Sequence, residues 1–382
     1  MKIKYPDYNN SILNLTCSVL NHYGVECNHS TLPYVDKLLA KNYKNVAIMV
    51  FDAMGIEILE KNLPENSFFR KHLAKEITSI FPPTTTAATT TIESGLAPIE
   101  HGWLGWSLHF DEVNQNINIF INTNDDGEQV TPYNVANRYI PYKNVIDIIS
   151  DTGRAKGYSV SPFGTYHVES LDELCVGVKT LCSNGENNYM YIYWPEPDTT
   201  MHLTGCYSRK SKKVLEEINS KVEELSKELK DTLLLITADH GHIDGRSKLI
   251  SDYPELLSTL KYLPSIEPRA LAFFVKDGME EKFVEEFNKE FKNDFLLLTK
   301  SEVLDRKIFG EGIENLKFKD FIGDFLAIGI SDVSIFNNKE EYNKFIGVHA
   351  GLTEAEMMVP LIVVDTIDTK WQILREAKGG FP

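Results

Sequence analysis

Residues able to bind metal ions stand just past apolar stretches at several points in this sequence. Asp52 follows NVAIMVF, and Asp239 with His240 follows LLLITA. Asp198 and His202 come soon after YMYIYW, in i and i+4 positions. On a helical turn that spacing puts both side chains on one face, aimed at one centre. His349 sits in the short segment GVHAG, ahead of VPLIVV. Together these residues supply three carboxylates and three imidazoles. Such a nitrogen and oxygen set suits zinc or manganese better than magnesium or calcium. One catalytic zinc takes three protein ligands and keeps a position open. Six ligands therefore suit two ions bound roughly 3.5–4 Å apart, an arrangement built for phosphoryl transfer. Each residue alone has a plainer role, an Asp as a helix cap and a His as a structural imidazole. Their joint placement favours the metal centre.

A nucleophile is available in Phe81-Pro82-Pro83-Thr84-Thr85-Thr86. The prolines end a strand and force a turn. The residues that follow, AATTTIES, read as a helix closed by Gly95. A threonine at a helix amino terminus faces free N–H groups and the positive end of the dipole. A metal ion beside it would lower the hydroxyl pKa and make an alkoxide available. Its plainer role is the helix cap. On residue type alone Thr84, Thr85 and Thr86 all remain open.

Strands are needed to carry these groups to one place. The run 46–51 and the stretches 157–161, 189–194 and 233–238 read as strands buried on both faces. Helices are predicted over 9–22, 30–41, 55–62, 142–150 and 207–230. The alternation predicts an α/β fold, a mixed and mostly parallel sheet sandwiched between helices. Such sheets gather their chemistry at the carboxyl ends of the strands. Residues 76–81 and 117–121 are further strand candidates, and His101 to Phe110 reads as a loop. Near 255 the texture changes. Apolar runs at 270–275, 295–299 and 325–330, with a helix over 279–291, predict a small α/β insert at 252–342, placed to act as a cap. The metal-binding core would then be 1–251 and 343–382, its tail from Thr369 an outer element.

Composition narrows the function. A net charge of -16 and a pI near 5.1 disfavour a sequence-independent grip on nucleic acid, which needs a basic face. They leave anionic small substrates open, because bound metal ions reverse the sign of a pocket locally. No window is apolar enough for a membrane span, and the amino terminus has no apolar core of signal-peptide type. The five cysteines show no CxxC spacing, so free thiols and a cytoplasmic location are expected.

The ordered set Asp52, Thr85, Asp198-x-x-x-His202, Asp239-His240-Gly241 and His349 resembles the alkaline phosphatase superfamily. It is most similar to the branch of nucleotide pyrophosphatases and type I phosphodiesterases. The likeness spans roughly 44–250 and 345–365. It implies an alkaline-phosphatase-like mixed sheet with two zinc ions, manganese being the other option. Asp198, His202 and His349 would hold the first ion. Asp52, Asp239, His240 and the Thr oxygen would hold the second. The family reads F-P-x-x-T and then T/S-G-L, which selects Thr85 and matches Ser94-Gly95-Leu96. The implied activity is hydrolysis of a phosphate ester or anhydride, of phosphodiesterase or nucleotide pyrophosphatase type, through a phospho-threonine. The implied partner is a small phosphorylated substrate such as a nucleotide.

Rival readings are a phosphomonoesterase, a phosphonate hydrolase, a phosphomutase or a non-catalytic metal and anion binder. A sulfatase would need C/S-x-P-x-R at the nucleophile, which is missing. One departure concerns the substrate. Family members carry an Asn about five residues after a His-Gly pair, where it donates to a phosphoryl oxygen. Here His101-Gly102 leads to Trp106 instead. Trp106, with Trp103 and Tyr166, could line an apolar slot, and Arg246 and Arg269 are candidate substrate contacts. His101 and His242 read as groups that support the ligands from behind.

Overall fold

Level strand ends are the feature of this fold that matters most for function. The computed structural model describes residues 1–367, so the tail from Thr369 lies outside the described residues. Its main sheet has seven strands. From one edge they run Leu73–Thr78, Met358–Asp365, Thr232–Thr237, Asn45–Phe51, Asn188–Trp194, Lys156–Ser161 and Tyr166–His167. Met358–Asp365 runs antiparallel to both its neighbours, and the other pairings are parallel. The mixed, mostly parallel sheet expected from the alternation is therefore present. Phe51 pairs with Trp194, and Val50 pairs with Thr237. Three central strands thus finish side by side, and the residues that follow each emerge at one end.

The centre of the sheet is dry. Every residue of Asn45–Phe51 and of Thr232–Thr237 is buried. Runs of Val, Ile, Leu and Met suit such positions because both faces of the strand meet apolar cover. The helix Arg209–Glu228 shows how that cover is patterned. It buries Leu215, Ile218, Val222 and Leu225, spaced three and four apart, and turns its Lys and Glu residues to water. The helix Ile12–His22 packs on the helix Thr85–Ser94 and helps to hold it.

A second sheet differs from the sequence expectation in where it draws its strands. Its order is Phe295–Thr299, Phe325–Gly329, Ala270–Phe273, Ser265–Glu267, Ser107–Phe110 and Gln115–Asn118, every pairing antiparallel. Four strands come from the expected 252–342 segment. The other two are a hairpin from a region read as loop and core strand. The strand expected at 117–121 ends at Asn118. Close approach makes the junction possible. A Cβ on Gly105 would lie 2.7 Å from the Ile266 carbonyl oxygen, so the hairpin reaches the sheet where the chain has no side chain.

One cysteine expectation is corrected. Cys17 and Cys27 are joined as a disulfide, because the helix Ile12–His22 and the turn after it bring their Cα atoms to 5.7 Å. Cys175, Cys182 and Cys206 are free. Among the described residues no helix is long and apolar enough to cross a membrane.

Candidate metal and phosphoryl site

The strand Asn45–Phe51 ends on Asp52, which is 3% exposed. Ala53 then takes φ of +61°, an unfavourable value for a residue with a Cβ. The turn aims the Ala53 N–H at Asp239 Oδ1, 3.0 Å away, across the gap to the end of Thr232–Thr237. Gly241 lets the two loops and the segment before the last strand pack together. A Cβ there would sit 1.9 Å from the Ala355 carbonyl oxygen. The turn Asp52-Ala53-Met54-Gly55 and the loop Asp239-His240-Gly241 are therefore fixed on each other.

The threonines separate cleanly in space. Thr84 is the residue before the helix Thr85–Ser94, with extended backbone, and Gly95 closes the helix at φ of +70°. Thr84 Oγ1 donates to Glu267 Oε1 at 2.6 Å, and Thr86 Oγ1 is buried without a partner. Thr85 is the one that faces the carboxylates. Its Oγ1 lies 3.3 and 3.4 Å from the two oxygens of Asp52 and 3.2 Å from His240 Nε2.

Beside this lies a second cluster. The helix Asp198–Thr204 carries Asp198 and His202 on one face, with Asp198 Oδ2 3.3 Å from His202 Nε2. The other oxygen, Oδ1, lies 3.1 Å from His242 Nε2 and 4.0 Å from His349 Nε2. Backbone carbonyls engage the far nitrogen of two rings. Gly347 O is 2.8 Å from His202 Nδ1, and Gly241 O is 2.9 Å from His240 Nδ1. Each Nδ1 then carries a proton, which sets the ring so that Nε2 faces the carboxylates. Ligand atoms of Asp198, His202, His242 and His349 fall within 4.8 Å of one another, as do those of Asp52, Asp198 and His240.

Whether these residues fit metal ions can be tested on their hydrogen bonds. Among the described residues Asp239 Oδ2 and His349 Nδ1 are buried with no hydrogen-bond partner, and Asp198 Oδ1 and His242 Nε2 have only each other, 3.1 Å apart. Orphaned buried polar atoms are costly and rare. Here they converge, and carboxylate with imidazole is a donor set that cations satisfy. The residues fit divalent metal.

Electrostatics differ across the site. Burial, then the charge of Asp198, pushes the Asp52 carboxyl up, although His240 and Tyr193 donate to it. Burial and the charge of Asp52 push Asp239 well up. Burial opposes charge on His240, but Asp239 and Asp52 win and take it to about 10. Asp198 is the reverse case. Burial works to raise it, yet His202, His242 and His349 hold it well below the usual carboxylate range.

A cavity of about 770 Å³ opens over both clusters. Asp52, Thr85, Asp198, His202 and His349 form its floor, with Trp106, Phe120 and Phe163 on its walls. Among the residues lining it there is no Lys or Arg.

Several expected contacts lie elsewhere. Arg269 is fully buried and spends its donors on Glu356, at 2.7 and 2.8 Å, and on the Val333 and Ser331 carbonyls. It ties the second sheet to the segment before the last core strand and cannot reach a substrate. Arg246 is exposed and held by Asp332, outside the cavity. Tyr166 packs over Gly177 and does not line the cavity. Trp103 is core, its indole donating to the Ile140 carbonyl at 2.8 Å. Trp106 does line the cavity. His242, read from sequence as a supporting group, stands with Asp198, His202 and His349 among the side chains that could hold an ion, its Nε2 3.1 Å from Asp198 Oδ1. A second imidazole two residues past His240 was its only signal. Glu267 was missed, since nothing in EPRA marks a carboxyl that meets Thr84 at the start of the helix Thr85–Ser94.

Comparisons with known proteins agree with this arrangement. Residues 165–351 match the family model described as type I phosphodiesterase / nucleotide pyrophosphatase. Murine ectonucleotide pyrophosphatase/phosphodiesterase 5 has a similar fold, with a TM-score of 0.63 at 18% identity, over 83% of this chain and 87% of that one. The human protein of the same name gives 0.64 at 16% identity, over 88% and 96%. An inactive threonine-to-alanine variant of the murine protein is known in complex with AMP. Phosphonoacetate hydrolase from Sinorhizobium meliloti 1021 gives 0.60 at 15% identity, over 85% and 90%. No curated protein matches the sequence closely enough to be reported as a relative. The chain is thus similar to the type I phosphodiesterases and nucleotide pyrophosphatases through residues 165–351, and it shares the fold of ectonucleotide pyrophosphatase/phosphodiesterase 5.

Proposed function

We propose that this protein hydrolyses phosphate esters or anhydrides with Thr85 as nucleophile and two divalent metal ions, zinc being the best fit. One observation carries the reading. Asp198, His202, His242 and His349 on one side and Asp52, Asp198 and His240 on the other bring their ligand atoms within 4.8 Å of one another, and Asp52, Thr85, Asp198, His202 and His349 line one cavity. Asp198, His202 and His349, joined by His242, would hold one ion. Asp52, Asp239, His240 and Thr85 Oγ1 would hold the other. The ions would supply Lewis acidity and lower the pKa of groups bound to them.

The chain's own groups do the rest. Thr85 stands in the first turn of its helix, where free N–H groups favour an anion. Asp52, with both oxygens within 3.4 Å of Thr85 Oγ1, is placed to take up its proton as the oxygen attacks phosphorus. The P–O bond to the leaving alcohol or phosphate breaks in that step, which leaves a phospho-threonine, and water then hydrolyses its P–O bond to release the phosphate product and free Thr85. Tyr193 and the Ala53 N–H fix the carboxylates, so little reorganisation is needed when charge shifts. The inactive threonine variant of the murine neighbour supports a threonine in this role. The phosphonoacetate hydrolase likeness supports a second reading, C–P bond hydrolysis. The absence of Lys and Arg from the cavity wall weighs against it, because a substrate carboxylate would find no cation there.

The test pairs metal content with turnover. Protein purified without chelator should hold about two zinc or manganese ions per chain and cleave a chromogenic phosphodiester. Thr85→Ala should keep the metal and lose turnover. Absence of stoichiometric metal after reconstitution would overturn the reading.

A further inference from the structure

Glu267 enters the cavity from the second sheet. It closes the strand Ser265–Glu267 and follows Ile266, a buried β-branched residue at φ of +80°. That backbone value is a true outlier for isoleucine, and outliers of this kind persist where the surroundings hold them. What they hold here is a carboxyl group. Glu267 Oε1 accepts from Thr84 Oγ1 at 2.6 Å and from the Trp106 N–H at 2.8 Å. Among the described residues Oε2 accepts no hydrogen bond, and the residue lines the cavity. A carboxyl therefore stands beside the residue that precedes Thr85, pinned through one oxygen and open through the other. It also occupies the backbone of Trp106, the position where the resemblance called for an amide donor.

We infer that Glu267 is a specificity-determining residue, which selects singly charged phosphodiester groups against phosphate ends that carry two charges. This inference rests on the hydrolase reading above. A phosphomonoester, or the terminal phosphate of a nucleoside polyphosphate, brings a second negative charge to the same place. Beside a fixed carboxylate that charge is penalised, and the low-dielectric wall enlarges the penalty. Esterifying the second oxygen removes the charge. The rest of the wall points the same way. Glu93, Asp125 and Glu341 also line the cavity, with no Lys or Arg to offset them. Burial raises the Glu267 carboxyl to about 7, so the effect is to be measured near pH 8.5, where it is ionised.

Glu267→Gln is the informative change. The amide oxygen can still accept from Thr84 and Trp106, while the NH₂ group offers a donor to the cavity. With metal-loaded protein, kcat/KM for bis(4-nitrophenyl) phosphate and for 4-nitrophenyl phosphate should be compared. The wild-type preference for the diester should fall at least tenfold in Glu267→Gln, with metal content unchanged. A ratio within twofold of wild type would overturn the inference. Calorimetry with inorganic phosphate gives a readout that needs no turnover. Glu267→Gln should bind it at least tenfold more tightly, and equal affinity would count against the charge filter. If the wild type cleaves neither ester yet holds its metal, the hydrolase reading fails, and calorimetry alone decides Glu267. Should Glu267→Gln fold poorly, Glu267→Ala should tighten phosphate in the same direction, and an unchanged affinity there is likewise decisive against it.

Discussion

The two halves of the site are built from similar side chains but carry opposite electrostatic conditions. On one side Asp198 sits among three imidazoles and is held well below the usual carboxylate range. On the other, Asp52 and Asp239 share a single imidazole and are both pushed up. Asp198, His202 and His349 keep 13%, 17% and 10% of their side chains exposed, against 4% or less for Asp52, Asp239 and His240, a difference that does not by itself explain the contrast. The ratio of carboxylates to imidazoles does. A carboxylate out of water needs about one compensating charge or several donors. The Asp198 side has them in the protein itself, whereas the Asp52 side waits for a cation. That deficit is what a metal ion beside Thr85 would repair.

The largest expected effect breaks the Asp52 side alone. Thr85→Ala should lower kcat by about a thousandfold or more, with metal on the Asp198 side retained. Metal analysis and single-turnover kinetics on the same preparation check this. A variant with wild-type kcat would remove the functional distinction between the halves.

Next comes a contrast in sign. In chelator, Asp198→Asn should destabilise the protein by about 3 kcal/mol, because it strips a paired carboxylate from buried imidazoles. Asp52→Asn should stabilise the metal-free protein by about 1 kcal/mol, since it relieves the repulsion with Asp239. Thermal melts of both variants decide it, and shifts of the same sign would sink the comparison.

His242→Ala should weaken metal binding by about 10- to 100-fold, with the loss confined to one of two ions. Competition with a chromophoric chelator resolves the two affinities. Equal loss at both sites, or none, would return His242 to a supporting role.

The smallest effect extends the unpaired condition to Glu93. Burial raises this carboxyl to about 7, although Tyr142 and Asn144 donate to it. Its unfolded value is about 4.3. Between those two values the folded state keeps a proton that the unfolded state has released. Stability is thus greatest below the unfolded value and declines as pH rises through that window. Glu93→Gln should flatten the decline and gain about 1 kcal/mol at pH 8. Urea unfolding at pH 5 and pH 8 measures it, and an unchanged slope would mean that the cavity wets Glu93 fully.

Much of the candidate site was legible because its signal is local. Asp198 and His202 share a helical face by spacing alone, and Asp239-His240 abuts an apolar strand that could only be interior. His242 was less legible, since no helical or strand period assigns its direction. The hairpin Ser107–Phe110 and Gln115–Asn118 escaped for another reason. Its sequence is polar and its partner, the strand Ser265–Glu267, lies about 150 residues away. Arg269 misled because an arginine in a turn-like EPRA segment looks exposed, while the fold spends all its donors on Glu356 and two carbonyls.

Sequence alone determined the α/β class, the strands that form the sheet centre and the residue types able to bind metal. These follow from hydrophobic period and side-chain chemistry, which act over a few residues. Tertiary structure decided which threonine meets Asp52, which imidazoles join Asp198, and that Glu267 faces the start of the helix Thr85–Ser94. Those choices depend on register between strands and on contact between sheets far apart in the chain. Local pattern carries no term for either, because both are set by packing of the whole core.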